Sequence, residues 1–464
     1  MKTVSSLPTE ILHRIAQYSD QDSLRSLRLT HKRFSSISQS QLLHTVTLTT
    51  SNKSISRFTE LLNDKSRAQL VRKVVLDTSK WDAYFDDGEY NGYETNDEND
   101  SDFDPDPEIV NLRKFTKLFD RLRDIPRLHS VVLRFHPVCM VNDDFGDCRQ
   151  TVEFRSTIFR AFVSALEKLD TPIRELAIRD LQNVNETDPD VLASLRKILG
   201  NLRSLRLNIA NEHNEGNGEY DLEYEEPHKF FPELSSIWLQ PTLSNLKHLT
   251  LYSSNYFGYY PKCDLSGLHF PRLKTLALGN YAFIHDTQLD WILSHKTLQE
   301  LYLDDCCILN EVAIYDKQRT YLNPQQYTAL PEQYVSEKSY AAYDKRWDHY
   351  FRAFKDGLPR LRHFRYGHSQ NWWVEDTTPF EDEAELTIGM HRDSYQVFCD
   401  GYGPSPYMKE MIWDHDEDRG EREALPFRED DQKALVELLD HIGQGYSMED
   451  EEKRLIEEAK WATS

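Results

Sequence analysis

The chain repeats one short arrangement of apolar positions, apolar-x-x-apolar-x-apolar, eight times between residues 71 and 366. The copies begin at Val71, Leu128, Ile173, Leu202, Leu246, Leu273, Leu298 and Leu361. Each ends on two apolar residues two positions apart, as in Leu276-Ala277-Leu278, and this alternation of period two predicts a short strand. Stretches of helical spacing precede many copies: Phe115/Leu118/Phe119/Leu122, Ile158/Phe162/Leu166/Leu169, Val191/Leu195/Ile198, Leu289/Ile292/Leu293 and Trp347/Phe351/Phe354. Strand and helix therefore alternate, which predicts a parallel sheet with helices on one side. The steps between copies run from 25 to 63 residues. Only those of 25, 27 and 29 residues suit a regular repeat, so the longer steps carry insertions.

The first fifty residues follow another pattern. Pro8 suits the start of a helix, where its missing N–H is no loss. Ile11, Leu12 and Ile15 then form one apolar stripe. Ser19-Asp20-Gln21-Asp22 interrupts that helix and offers cap side chains to a second, which carries Leu24 and Leu27. Thr30 is placed to cap a third, which carries Phe34 and Ile37. Three helices this short bury too little surface to stand alone and need a partner or a following domain.

Leu7-Pro8-Thr9-Glu10-Ile11, the apolar Ile15 four residues on, the Leu-rich second helix and the basic-aromatic third resemble the F-box over residues 7 to about 44. Ser19 and Thr30-His31 depart from that pattern. The resemblance implies docking on the Skp adaptor of cullin-based (SCF) ubiquitin ligases, through Leu7, Pro8, Ile11, Ile15, Leu24 and Leu27. This is helix-in-groove binding, in which apolar anchors fill a hydrophobic groove. Some of these side chains must also hold the three helices together.

The repeated pattern resembles a degenerate leucine-rich repeat, although the usual Asn or Cys after the strand is mostly missing; Cys306 and Cys307 come close to it. An ordinary α/β domain is the competing reading. With the F-box, the segments Leu268 to Gly279, Trp291 to His295 and Trp347 to Gly367 are similar to fungal F-box proteins with such repeats. The expected fold is α/β: an F-box at 1–48, an irregular solenoid with a parallel sheet at 49–367, and a C-terminal cap with a charged tail at 368–464. The implied function is substrate recognition for an SCF-type ligase, with the adaptor, a cullin and a protein target as partners. The alternative is a scaffold that binds the adaptor or another partner without promoting ubiquitination.

Along each strand the residues between the apolar anchors point to the other face of the sheet. Arg134, Arg179 and Arg206 stand out there, followed by His248, Tyr252, Tyr302, Asp304 and Arg365. Arginine pairs carboxylates and phosphates in bidentate fashion, so Arg134, Arg179, Arg206, Tyr252 and Tyr302 are candidates for binding an acidic or phosphorylated target. Local pairing of these arginines with Asp77, Glu175, Asp180 or an acidic loop is the competing expectation.

Charge narrows the picture. The 464 residues hold 55 Lys+Arg and 78 Asp+Glu, a net charge of −23. Coating a nucleic acid or adhering to anionic lipid needs the opposite balance. Residues 82–108 alone carry twelve acids and no Lys or Arg, which predicts a disordered loop. Its Asp100-x-Asp102-x-Asp104 run has Pro105 and Asn111 where an EF-hand loop needs Gly and Glu. Asn211 to Pro227 predicts a second exposed loop. Trp372, Trp373, the run from Tyr395 to Tyr407 and Trp413 supply aromatics to cap the solenoid. Ala434 to Ile442 and Met448 to Lys460 predict helices. Six cysteines without a C-x-x-C pair predict neither a disulfide framework nor a zinc site, and no cofactor is expected. No apolar leader or spanning run is seen, so the expected setting is the cytoplasm or nucleus. None of the phosphate-loop, dinucleotide, nucleophile-elbow or H-E-x-x-H motifs occurs, and no catalytic residue is expected.

Overall fold

The structure is a computed structural model and describes residues 7–79, 107–139, 150–211, 224–315, 328–329, 338–369, 380, 382–400, 404–405, 411–414, 417–421 and 424–446. The chain forms two compact units, Met1–His136 with Glu153–Ile178, and Pro137–Val152 with Arg179–Ser464.

The first unit opens with three helices, α1 (Thr9–Gln17), α2 (Gln21–Thr30) and α3 (Lys32–Leu42). Asp20 caps α2 as its sequence implies, Oδ1 accepting the Ser23 N–H at 2.8 Å. Thr30 does not cap α3. It still lies in α2 and its hydroxyl donates to the Leu27 carbonyl, so His31 takes the cap and its Nδ1 accepts the Arg33 N–H at 3.2 Å. The strand β1 (Thr45–Thr49), which carries no copy of the repeated pattern, lies parallel to β2 (Lys73–Asp77), and β2 lies parallel to β3 (Ser130–Arg134). Helices α4 (Asn52–Asn63), α5 (Lys65–Ala68), α6 (Pro107–Lys117) and α7 (Val152–Glu167) come between or after them. Helix α6 begins inside the stretch expected to be a loop, with Pro107 at its first position, where proline fits. The acidic residues before it, 80–106, lie outside the described residues.

The chain passes from one unit to the other within β4 (Glu175–Gln182). The second unit continues with α8 (Pro189–Leu199), β5 (Ser204–Ala210), α9 (Glu225–Leu234), β6 (His248–Phe257), β7 (Thr275–Phe283), α10 (Asp286–Ser294) and β8 (Glu300–Asp304). Then come β9 (Cys307–Tyr315), β10 (Thr328–Ala329), β11 (Lys338–Ala342), α11 (Trp347–Gly357), β12 (His363–Gly367), β13 (Tyr395–Asp400) and α12 (Glu429–His441). All eight strands read from the pattern are present, as β2 to β8 and β12, and every anchor in them is buried. Strands β5, β6, β7, β8 and β12 are parallel in that order.

The long insertion between Leu303 and Leu361 is not a plain loop. It supplies β9, which pairs with the end of β7, and β11, which pairs antiparallel with β9; β13 adds to β9 in parallel. Tyr256, Tyr259, Tyr260, Ile284, Leu309, Val312 and Phe398 form a separate apolar cluster there. The C-terminal region is correspondingly woven in: α12 buries Ala434, Leu435, Leu438 and Leu439, and Asp431 at its start accepts from Arg346 and from the Tyr395 hydroxyl, each at 3.0 Å. Trp372, Trp373 and residues 448–460 lie outside the described residues.

Candidate functional site

In the N-terminal helices Leu12, Ala16, Leu24, Phe34 and Ile37 form a closed cluster, with Leu7, Leu27 and Leu42 packed at its margin. The stripe read on α1 is thus divided. Successive helical residues are 100° apart, so Leu12 and Ala16 point into the cluster while Ile11 and Ile15, one position earlier, point out. Ile11 is 43% exposed, Ile15 36% and Tyr18 85%. Pro8, Ile11, Ile15 and Tyr18 stand at spacings of three, four and three, one continuous outer stripe. Leu29 on α2 is a further large apolar side chain left 82% exposed. Among the residues expected at the adaptor interface, Pro8, Ile11 and Ile15 are therefore on the surface, and Leu7 and Leu27 are half-buried. Leu24 lies in the core, because three short helices need it to close on Phe34 and Ile37.

The second candidate face is that of the β5, β6, β7, β8 and β12 strands. Register aligns Arg206, Thr250, Ala277, Tyr302 and Arg365 in one row across it, and Asn208, Tyr252, Gly279, Asp304 and Gly367 in the next. The opposite face of β12 carries α11, through Phe351 against Phe364 and Tyr366. The pattern therefore placed Arg206, His248, Tyr252, Tyr302, Asp304 and Arg365 on one face correctly, but that face is not open. Phe380 sits in a cluster with Tyr252, Ala277 and Tyr302, and its carbonyl accepts from Arg206 Nη1 at 2.7 Å. Glu383, in a single 3-10 turn (Glu383–Glu385), takes an ion pair from Arg206, a hydrogen bond from Thr250 Oγ1 at 2.6 Å and lies 2.9 Å from His248 Nε2. Further on, Arg365 Nη1 donates to the Leu386 carbonyl at 2.7 Å and the Gly389 N–H donates to the Tyr366 carbonyl at 2.8 Å. Burial opposes ionisation of Glu383, but the hydrogen bond and charge of His248, then the charge of Arg206 and the Thr250 hydroxyl, outweigh it and hold the carboxyl at about 2.

Tyr252, Tyr302, Arg179 and Arg206, all expected at a substrate site, are each covered or paired within the second unit. Tyr252 is buried, its ring over Gly279 and its hydroxyl donating to Asp304 Oδ2 at 3.1 Å. Tyr302 is buried beneath Phe380. Arg179 is buried with its Nε 3.8 Å from Asp180, the local pairing that was the competing expectation. Arg206 pairs instead with Glu383, an acid 177 residues away that no local reading reaches. Arg134 is half-buried at the end of β3, in the first unit, where its carbonyl accepts the Thr78 N–H and hydroxyl.

At the end of β8, Asp304 accepts the Ser369 N–H at 3.1 Å and its hydroxyl at 2.8 Å; burial, then the neighbouring Asp305, pushes its carboxyl up. The adjoining Asp305 pairs with His368. Burial also pushes the Cys263, Cys306 and Cys307 thiols up, so they are protonated and unreactive. Among the described residues no cluster of His, Cys, Asp and Glu side chains is placed to hold a metal ion, and no helix is long and apolar enough to cross a membrane.

Residues 4–49 match the F-box-like family model. No curated protein sequence matches the chain. Among solved structures, the crystal structure of a TLR13–ssRNA13 complex is similar over 73% of this chain, with 13% identity and a TM-score of 0.26. The chain spans 38% of the length of that structure's chain. F-box domains generally serve as non-catalytic docking modules for Skp-type adaptors. The chain thus carries an F-box-like domain at its N-terminus, followed by an α/β repeat region built on a parallel sheet.

Proposed function

We propose that the chain is a substrate-recognition subunit of an SCF-type cullin ubiquitin ligase. Its N-terminal helices dock on a Skp-type adaptor, and its repeat region holds a protein target. The observation that carries this reading is the divided α1 stripe. A domain whose core is already closed by Leu12, Ala16, Leu24, Phe34 and Ile37 still leaves Pro8, Ile11, Ile15 and Tyr18 on the surface. Large apolar side chains in a continuous row are stable in water only at a cost, and a groove on a partner removes it. The chain itself supplies proximity to the transfer reaction rather than chemistry.

The test is capture of the adaptor by the full chain and by the Ile11→Asp/Ile15→Asp variant. The reading expects capture to fall by two orders of magnitude or more, since hot-spot anchors are worth about 2 kcal/mol or more each, while the variant keeps its circular dichroism. Undiminished capture overturns the interface. A ubiquitination assay on the captured target then separates a ligase receptor from a scaffold, which would leave that target unmodified.

A further inference from the structure

The strand face opposite α11 comes with an occupant. Phe380 and residues 382–389 lie across β5 to β12 and satisfy that face by three separate means. An aromatic ring fills the apolar site of Tyr252, Ala277 and Tyr302. A carboxylate three residues on meets Arg206, His248 and Thr250 together. Main-chain carbonyls of Phe380 and Leu386 accept from Arg206 and Arg365. The donors come from strands β5, β6 and β12, so the face is a preformed receptor whose polar groups need an anionic occupant; empty, it would leave a half-buried guanidinium without its acceptor. Side chains from separate strands converge on few groups of one segment, which is the arrangement of a peptide-binding surface.

We propose that this face is the target-recognition surface, and that its external ligand is an extended acidic peptide with an aromatic residue three places before a carboxylate, which replaces the chain's own Phe380–Leu386. This rests on the reading of the repeat region as a target holder, but not on the adaptor interface. The tethered segment competes at an effective concentration of about millimolar or more, so the intact chain binds such a peptide weakly and loosening the segment raises the affinity.

The experiment measures fluorescence anisotropy of a labelled peptide with the sequence of residues 376–390, Asp376 to Met390, and of a scrambled control. Three full-length proteins are compared: wild type, Phe380→Ala/Glu383→Gln, and the same pair with Arg206→Ala. The expected result is binding at least about tenfold tighter to the double variant than to wild type, loss of that gain with Arg206→Ala, and no binding of the scrambled peptide. Equal affinity for wild type and the folded double variant overturns the proposal, as does a gain that survives Arg206→Ala. Should the double variant fail to fold, hydrogen exchange of the wild type decides. Amides of residues 382–390 must exchange faster than those of β6 and β7, and slow down when a tenfold excess of the unlabelled peptide is absent rather than present. Exchange as slow as that of β6, or indifferent to the peptide, makes the segment a permanent part of the fold and overturns the proposal. Adaptor capture is read separately, so loss of one result leaves the other standing.

Discussion

At the residue scale, two glycines are required by what presses against them. A Cβ on Gly279 would lie 2.3 Å from Cδ1 of Tyr252, whose ring covers it and reaches Asp304. A Cβ on Gly367 would lie 1.8 Å from the Thr387 carbonyl oxygen, where the crossing segment passes β12. Either glycine changed to alanine should cost about 1–3 kcal/mol, the usual range for overpacking, read as a lower urea midpoint at unchanged slope. A titratable core residue gives a second prediction. His295 is buried, its Nδ1 donating to the Trp291 carbonyl at 2.8 Å and its Nε2 accepting the Phe270 N–H at 3.2 Å, so it must be neutral. Burial lowers its pKa from 6.5 to about 4. The folded state then resists a proton that the unfolded state takes up. Its contribution is full above pH 6.5 and declines as pH falls toward 4. The His295→Gln variant should show a shallower loss of urea midpoint between pH 7 and 5 than wild type; parallel slopes would contradict it.

At the element scale, the apolar run of α1 divides between the closed cluster and the surface. Leu12→Ala removes a fully buried side chain and should destabilise the N-terminal helices by about 2–5 kcal/mol, seen as local melting or faster hydrogen exchange of residues 9–42. Ile11→Asp, one residue earlier, should leave that exchange unchanged and act only on adaptor capture. The repeated strands also end more regularly than their sequence suggests. Seven residues after the first anchor, Asp180, Asn280 and Asp305 turn left-handed with φ of 59°, 58° and 51°, which short Asx side chains tolerate best. The next residue after Asp305, Cys306, donates its thiol to the Leu278 carbonyl of the preceding strand at 3.3 Å. The near-match to the usual Cys position was thus a structural signal, hidden because the other copies fill that place differently.

At the scale of the second unit, the crossing segment ties its C-terminal region back to its strands through one buried carboxylate. Removing Glu383 strands Arg206, and breaking such a buried pair costs about 3–5 kcal/mol, so Glu383→Ala should lower the urea midpoint more than Glu383→Gln, which keeps an acceptor. Because its folded pKa lies near 2, below the ordinary 4.5, the contribution of Glu383 is present above pH 4.5 and is lost as pH falls toward 2. Wild type and Glu383→Gln should therefore converge in stability on acidification across that window. Asp304 works in the opposite sense: its raised pKa makes ionisation costly in the fold, so its burial is best tolerated at low pH and opposed as pH rises.

Local order was legible in the amino-acid sequence by itself. Period-two anchors such as Leu276 and Leu278, and helical spacings such as Trp347/Phe351/Phe354, located eight strands and the helices between them, because burial of one face is decided within a few residues. The sequence also marked the F-box-like start, where Leu-Pro-x-Glu-Ile and the cap at Asp20 are local features. What only the tertiary structure decided were the choices between alternatives that local pattern leaves equal. Leu24 went inward and Ile11 outward because three helices close on one side only. Arg206 left the acids near it in sequence for Glu383, 177 residues on, because the chain returns across the sheet there. The face read as an open basic surface is occupied for the same reason: its ligand is encoded far from its donors, and only folding brings them together.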